Sequence, residues 1–600
     1  MSEIKKVPTR EEVELKDTWA TEDLYATDEA WEEDLKRTGE FVKRFSDMKG
    51  TLGQSGKNVL ALFQLDEECD LWIDNVANYA MRKADQDTTN GHYQDFSARL
   101  MNASVQIGNA SSFVSPEILA IPEETLEGFF KEVPELELYR VAINDITRKR
   151  AHVLSPEMES LLAASGNVTG AASNIRGMLD NADIKFPSII DENGQERQIT
   201  HGSYIPLMEC NCRETRKKAF ESVYHTYEQF KNTYASLLAA QTKQLKFKAD
   251  ARHYNSTIEA ALDSTNVPVS VYHNLIEAVH NNMDKMYKYV ALRKKVMGYD
   301  DLHFYDIYAP ITESSSAYIP YEEAQQTILE AVKPLGEEYV EILRNGFNSR
   351  WVDVYENVGK RSGAYSAGAK KHPYVLMNYS GTLDSEFTLA HEMGHAMHSY
   401  LSNRTQPTIY SNYRIFVAEI ASTCNEALLM QYLLSKCTDK KERAILINHF
   451  LDSFKGTVYR QTMFAEFELM MNQMNERGET LTADKLCKAY EDLQRLYFGD
   501  EIVIDKEIAY EWCRIPHFYY NYYVFQYATG FSAAIALSRK ILQEGEPAVK
   551  KYLEFLSGGC SKDPISLLKD AGVDMTTAAP INEALAYFGE LVDEMEELLK

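Results

Sequence analysis

The sequence predicts a mainly α protein of successive amphipathic helices, with one small sheet placed directly before a motif-bearing helix. Three observations predict it. Glu, Lys, Leu and Ala recur at three- and four-residue spacing through most of the 600 residues, which is the periodicity of one-faced helices. The 17 prolines fall largely at segment starts, where a helix tolerates a missing N–H. The exception is Gly359 to Gly381, where Gly359, Gly363, Gly368 and Gly381 punctuate β-branched and aromatic residues, a pattern of short antiparallel strands.

Taken in order, residues 18 to 200 read as helices such as Asp28 to Phe45 and Val59 to Lys83, followed by a loop-rich patch at Phe186-Pro187-Ser188 and Asp191-Glu192-Asn193-Gly194. That patch is the expected boundary between an N-terminal helical domain, 1–200, and a second domain, 201–600. A chain of this length outgrows one core. A further helical array runs from about 204 to 350, interrupted near Val267-Pro268-Val269 and Tyr308-Ala309-Pro310. In the glycine-rich stretch, a short strand can either serve as a structural hairpin or pair with an extended peptide through its backbone.

Composition narrows the function classes. A formal charge of -27, from 63 Lys plus Arg against 90 Asp plus Glu, opposes binding to phosphate backbones and anionic lipid, so neither nucleic acid nor membrane is an expected partner. The first residues are polar with no apolar run, which argues against a secretory signal. The eight cysteines contain no C-x-x-C pair and read as reduced thiols. The expected compartment is the cytoplasm.

The segment from Ser385 to His398 contains His391-Glu392-Met393-Gly394-His395. On a helix, i and i+4 share a face, so His391 and His395 can offer two imidazole nitrogens to one zinc ion at about 2.0 to 2.1 Å, while Glu392 can act as general base toward a water there. Thr382 or Asp384 suits the helix N-cap. A catalytic zinc needs a third protein ligand. His398 is unsuited, since two turns of helix set it roughly 10 Å from His391. Glu419 is the better candidate, because a carboxylate within the apolar run Phe416 to Leu428 is costly to bury unless it binds metal or pairs. Glu426 shares its face, so either can be the ligand with the other in support. Ser422 and Thr423 are placed to hydrogen-bond a ligand histidine.

His391 to His398, Glu419 following His395 by 24 residues, the segments Gly359 to Tyr365 and Tyr374 to Tyr379, and a histidine-tyrosine run after Arg514 together resemble the M3 (thimet oligopeptidase) family, and within it the oligoendopeptidase F branch. The likeness covers roughly 200 to 590. It implies a prolate, two-lobed helical metallopeptidase with a deep channel, one zinc per chain held by His391, His395 and Glu419, and cleavage of oligopeptides rather than folded proteins. The spacing to Glu419 is one residue shorter than in thimet-like members.

Without the resemblance, the run Arg514 to Gly530 reads as an aromatic core stripe. The resemblance implies instead that a histidine and tyrosines here meet the substrate carbonyl, which names His517, Tyr520 and Tyr527. The family's loop glycines are absent, the loop is two residues shorter, and a third family tyrosine falls on Val524. The expected reaction is attack of a zinc-activated water on the scissile carbonyl, with Glu392 taking its proton and passing it to the leaving amine, and with Tyr527 or His517 stabilising the oxyanion. Two rivals stand beside it: a metallopeptidase releasing residues or dipeptides from a C-terminus, and a non-catalytic helical protein that binds peptides.

Overall fold

The computed structural model describes residues 6–312 and 317–600, and helices dominate them. Among them are α1 (Gly56–Gln86), α2 (Arg213–Ala251), α3 (Leu383–Thr405), α4 (Ile415–Lys436) and α5 (Arg460–Glu476), with the strands β1 (Val352–Asp353), β2 (Tyr365–Ala367) and β3 (Tyr374–Leu376). No helix among the described residues is long and apolar enough to cross a membrane.

The chain packs as two compact units, each assembled from three stretches distant in sequence. The first comprises Met1–Ala151, Ala317–Tyr432 and Leu537–Gly572, and the second His152–Ser316, Leu433–Ala536 and Val573–Lys600.

In the first unit, α1 begins where the Ser55 hydroxyl accepts a hydrogen bond from the Asn58 amide. It buries Val59, Leu62, Phe63, Cys69, Trp72, Val76 and Ala80, the stripe that three- and four-residue spacing produces. Trp31 and Phe96 stack at 3.9 Å in the same core. Each such side chain contributes roughly 1.5 to 3 kcal/mol of burial free energy.

The small sheet has the order β1-β3-β2. The glycine pattern predicts its antiparallel half, in which Tyr365 pairs Leu376 and Ala367 pairs Tyr374. The sheet is mixed rather than wholly antiparallel, because β1 joins β3 in parallel, Val352 opposite Val375. Central β3 is fully buried and β2, at the edge, is half-buried. Trp19 covers the sheet, donating from its indole N–H to Val375 O at 2.7 Å. Gly381 then turns the chain into α3 at φ 75°; a Cβ there would stand 2.1 Å from the Tyr318 ring, so only glycine fits. Thr382 is the N-cap, its hydroxyl accepting from the Ser385 amide at 3.1 Å.

In the second unit, the long α2 buries Tyr224, Tyr227 and Tyr234. Its Thr242 carbonyl accepts from Asn475 of α5 at 3.2 Å. A buried carboxyl, Glu511, collects Arg460, Tyr490 and Gln494, and the short helical turn Pro516–Tyr519 follows it.

Candidate metal centre

Two helices of the first unit build the cluster. His391, Glu392 and His395 lie on α3, and Glu419 and Glu426 on α4. Their approach is set at Gly394, where a Cβ would fall 2.6 Å from Ser422 Cα and 2.7 Å from Ala421 O. Both neighbours are backbone and cannot swing aside. Register is fixed by Asn425, whose side-chain amide donates to Ala390 O at 3.3 Å and whose oxygen accepts from Tyr339 OH at 3.0 Å. Gly394→Ala should therefore displace α4 and Glu419 with it. Overpacking costs about 1 to 3 kcal/mol, more than the roughly 1 kcal/mol that alanine gains in helix propensity. The expected result is a lower melting temperature and a zinc affinity at least about tenfold weaker, read by competition with a chelator.

Glu419 Oε2 lies 3.3 Å from His391 Nε2 and 3.3 Å from His395 Nε2. The three donor atoms lie within 4.8 Å of one another, the one group among the described residues that could hold a metal ion. Tetrahedral ligands at about 2.0 to 2.1 Å from zinc stand about 3.3 to 3.4 Å apart, so the donor set and spacing fit that ion. The two imidazoles meet edge to face, with centroids 4.8 Å apart and planes crossing at 83°. Burial acts to raise the Glu419 pKa, but the two imidazoles outweigh it and hold the carboxyl well below the ordinary range, in the ionised form a metal requires.

The choice left open between the two glutamates resolves geometrically. Glu426 Oε1 faces His391 Nδ1 at 2.5 Å, which assigns the ring proton to Nδ1 and leaves Nε2 with its lone pair toward the cluster. Glu419 is in the donor group and Glu426 behind it. Ser422 differs from expectation: its hydroxyl donates to Glu419 O at 2.9 Å and Oε2 at 3.3 Å, not to a histidine. It is three residues on from Glu419 in the same helix, so it reaches back along its own turn.

Glu392 is 7% exposed, and its Oε2 is buried without a hydrogen-bond partner. Burial raises its pKa, opposed by His391 and His395. A buried carboxylate oxygen without a partner is costly unless something else uses it. His398 lies outside the donor group. It is 1% exposed, stacked on Tyr413 at 3.7 Å and 3°, and burial followed by the neighbouring His395 pushes its pKa down to about 3. It is a neutral core ring.

The tyrosine run belongs to the second unit and sorts by direction. Tyr519 and Tyr522 turn into the core, 7% and 2% exposed. His517, Tyr520, Tyr523 and Tyr527 gather on one face, with His517 5.4 Å from Tyr520, 6.3 Å from Tyr523 and 6.1 Å from Tyr527 between ring centroids. Burial, and then the charge of Arg176, lower the His517 pKa, so its ring is neutral at neutral pH. The fold thus joins the three residues singled out from sequence and adds Tyr523. Tyr520 to Tyr523 is an irregular turn rather than helix, so no periodicity in the sequence marks Tyr523.

The chain compares clearly with known proteins. The family described as Peptidase family M3 matches residues 206–587, and the one described as Oligopeptidase F matches 117–186. The oligopeptidase PepF of Bacillus subtilis is 48% identical, over 100% of this chain and 90% of that protein. The group B oligopeptidase PepB of Streptococcus agalactiae is 39% identical over 98% of each. Among solved structures, an oligoendopeptidase-F from Enterococcus faecium is similar with a TM-score of 0.75 at 40% identity, covering 95% of this chain and 99% of that one.

Proposed function

Because the chain belongs to peptidase family M3, we propose that it is a zinc-dependent endopeptidase hydrolysing internal bonds of short, unstructured oligopeptides in the cytoplasm. The observation that carries the reading is a buried, unpartnered Glu392 oxygen beside two imidazoles and a carboxylate at zinc-ligand spacing. His391, His395 and Glu419 hold one zinc per chain, with Glu426 orienting His391. When bound, the ion supplies Lewis acidity, lowering the pKa of a water and polarising a carbonyl.

Glu392 takes the proton of the attacking water on its unpartnered oxygen and returns it to the departing amine nitrogen. Burial pushes the Glu392 pKa up, which strengthens it as a base, while His391 and His395 oppose that push. His517, Tyr520 and Tyr527 act as donors to the peptide backbone, and a phenol aimed at the developing oxyanion gains strength in the transition state more than in the ground state. Removing one such donor typically costs about 10²- to 10³-fold in rate. Tyr527→Phe should keep its zinc and melting temperature and lose kcat by that factor with KM little changed. Parental turnover with a lowered melting temperature would make Tyr527 core packing.

The match of the family description to residues 206–587 supports placing catalysis in 201–600, of which the stretch 317–432 packs in one compact unit with 1–151. Mass spectrometry of a peptide mixture, with and without chelator, tests the reading. Chelator-sensitive cuts at internal bonds, unaffected by blocking the C-terminus, are expected. Loss of cleavage on blocking would favour release from the C-terminus, and no cleavage at all would leave a peptide-binding protein.

A further inference from the structure

Asn521 and Tyr522, neither of them glycine, occupy the left-handed region in succession at φ 60° and 58°. Side chains rarely adopt it, and it persists only where surroundings enforce it. Three elements of the second unit do so. From α5, Glu468 Oε1 accepts the Tyr522 amide at 2.6 Å. From α2, Gln241 donates to Asn521 Oδ1 at 2.8 Å and to Tyr519 O at 3.3 Å. Thr257 pairs its hydroxyl with Tyr522 OH at 2.8 Å and is itself held by Glu476.

This turn decides which tyrosines face out. It reverses the chain between Tyr520 and Tyr523, so that their rings stand 6.3 Å apart and both reach His517, while Tyr522 between them is buried against Tyr272. We infer that Glu468 is a positioning residue: by gripping the Tyr522 amide in the left-handed turn, its carboxyl presets the ring face of His517, Tyr520, Tyr523 and Tyr527 for the peptide. The inference rests on the proposed role of those rings in the reaction.

Glu468 otherwise has no evident use. It is 1% exposed, its Oε2 has no partner, and burial pushes its pKa up to about 8. Its task is that of a neutral acceptor, and glutamine offers the same oxygen in the same shape. Leucine offers none and strands the Tyr522 N–H in the core.

The test measures kcat, KM, zinc content and melting temperature on a short fluorogenic peptide. Glu468→Leu should lose at least about tenfold in kcat per folded, zinc-loaded molecule with KM changed less than about threefold, since small misplacement of reacting groups is paid in the chemical step. Glu468→Gln should stay within about twofold of the parent. Because the leucine variant risks misfolding, Asn521, on the exposed side of the turn, gives a second route. Asn521→Val should lose kcat likewise, valine resisting positive φ, while Asn521→Gly, which accepts it, stays within about threefold. A drop in melting temperature with parental kcat, or equal losses in Glu468→Gln and Glu468→Leu, would overturn the inference. If Tyr527→Phe is slow while Glu468→Leu and Asn521→Val are not, the positioning role falls and the reading of the rings stands; if Tyr527→Phe also turns over like the parent, both fall.

Discussion

Glu392→Gln is expected to bind zinc as the parent does and to cleave peptides about 10²- to 10⁴-fold more slowly, the range that a positioned proton-transfer group contributes. The amide fills the same space on α3 and leaves the His391–Glu419–His395 spacing of 3.3 Å undisturbed. What it lacks is a basic oxygen. In the parent that oxygen is buried and bound to nothing else, so no structural bond is lost on substitution and stability should hold or rise slightly. The glutamine effect is therefore confined to turnover. Full zinc content with substantial residual cleavage would refute the assignment of the base.

The second large effect is on the metal itself. Glu419→Ala removes the one atom equidistant from both imidazole nitrogens and should cost more affinity than the roughly 10- to 100-fold typical of an outer partner, the loss expected for Glu426→Gln. Zinc should leave Glu419→Ala at chelator concentrations the parent withstands. His398→Ala should keep its zinc and instead unfold at lower temperature, since a fully buried ring stacked at 3.7 Å on Tyr413 leaves a cavity worth about 2 to 5 kcal/mol. The opposite ranking of zinc retention would overturn the ligand set.

How much of this the sequence carries depends on how local each feature is. His391, Glu392 and His395 need only one helix, and helical period places them on one face without tertiary knowledge. Glu419 is visible because a carboxylate in an apolar helix is anomalous, but its distinction from Glu426 depends on where α4 crosses α3. That crossing is set by Gly394, which in isolation looks like a weak helix former. Ser422 bonds within its own helix, to Glu419 three residues back, a choice of partner that residue type alone does not decide. The hairpin at β2 and β3 follows from local glycines, whereas the parallel pairing of β1 joins Val352 to Val375 across the intervening loop and leaves no local mark. Likewise, two compact units each made of three stretches escape any reading of composition along the chain. In the tyrosine run, residue types are informative, but which rings face out is decided by two left-handed residues and by Glu468, which sits in α5 among ordinary helix formers.

On the proposed reading, one metal ion held by His391, His395 and Glu419 makes this chain a peptidase. Stepwise addition of zinc to the metal-stripped protein, with bound zinc and the rate of internal peptide-bond cleavage followed together, tests it most directly. The rate should rise in proportion to bound zinc and level off at one equivalent per chain. Cleavage that persists in the stripped protein, or that needs a second equivalent, would contradict it.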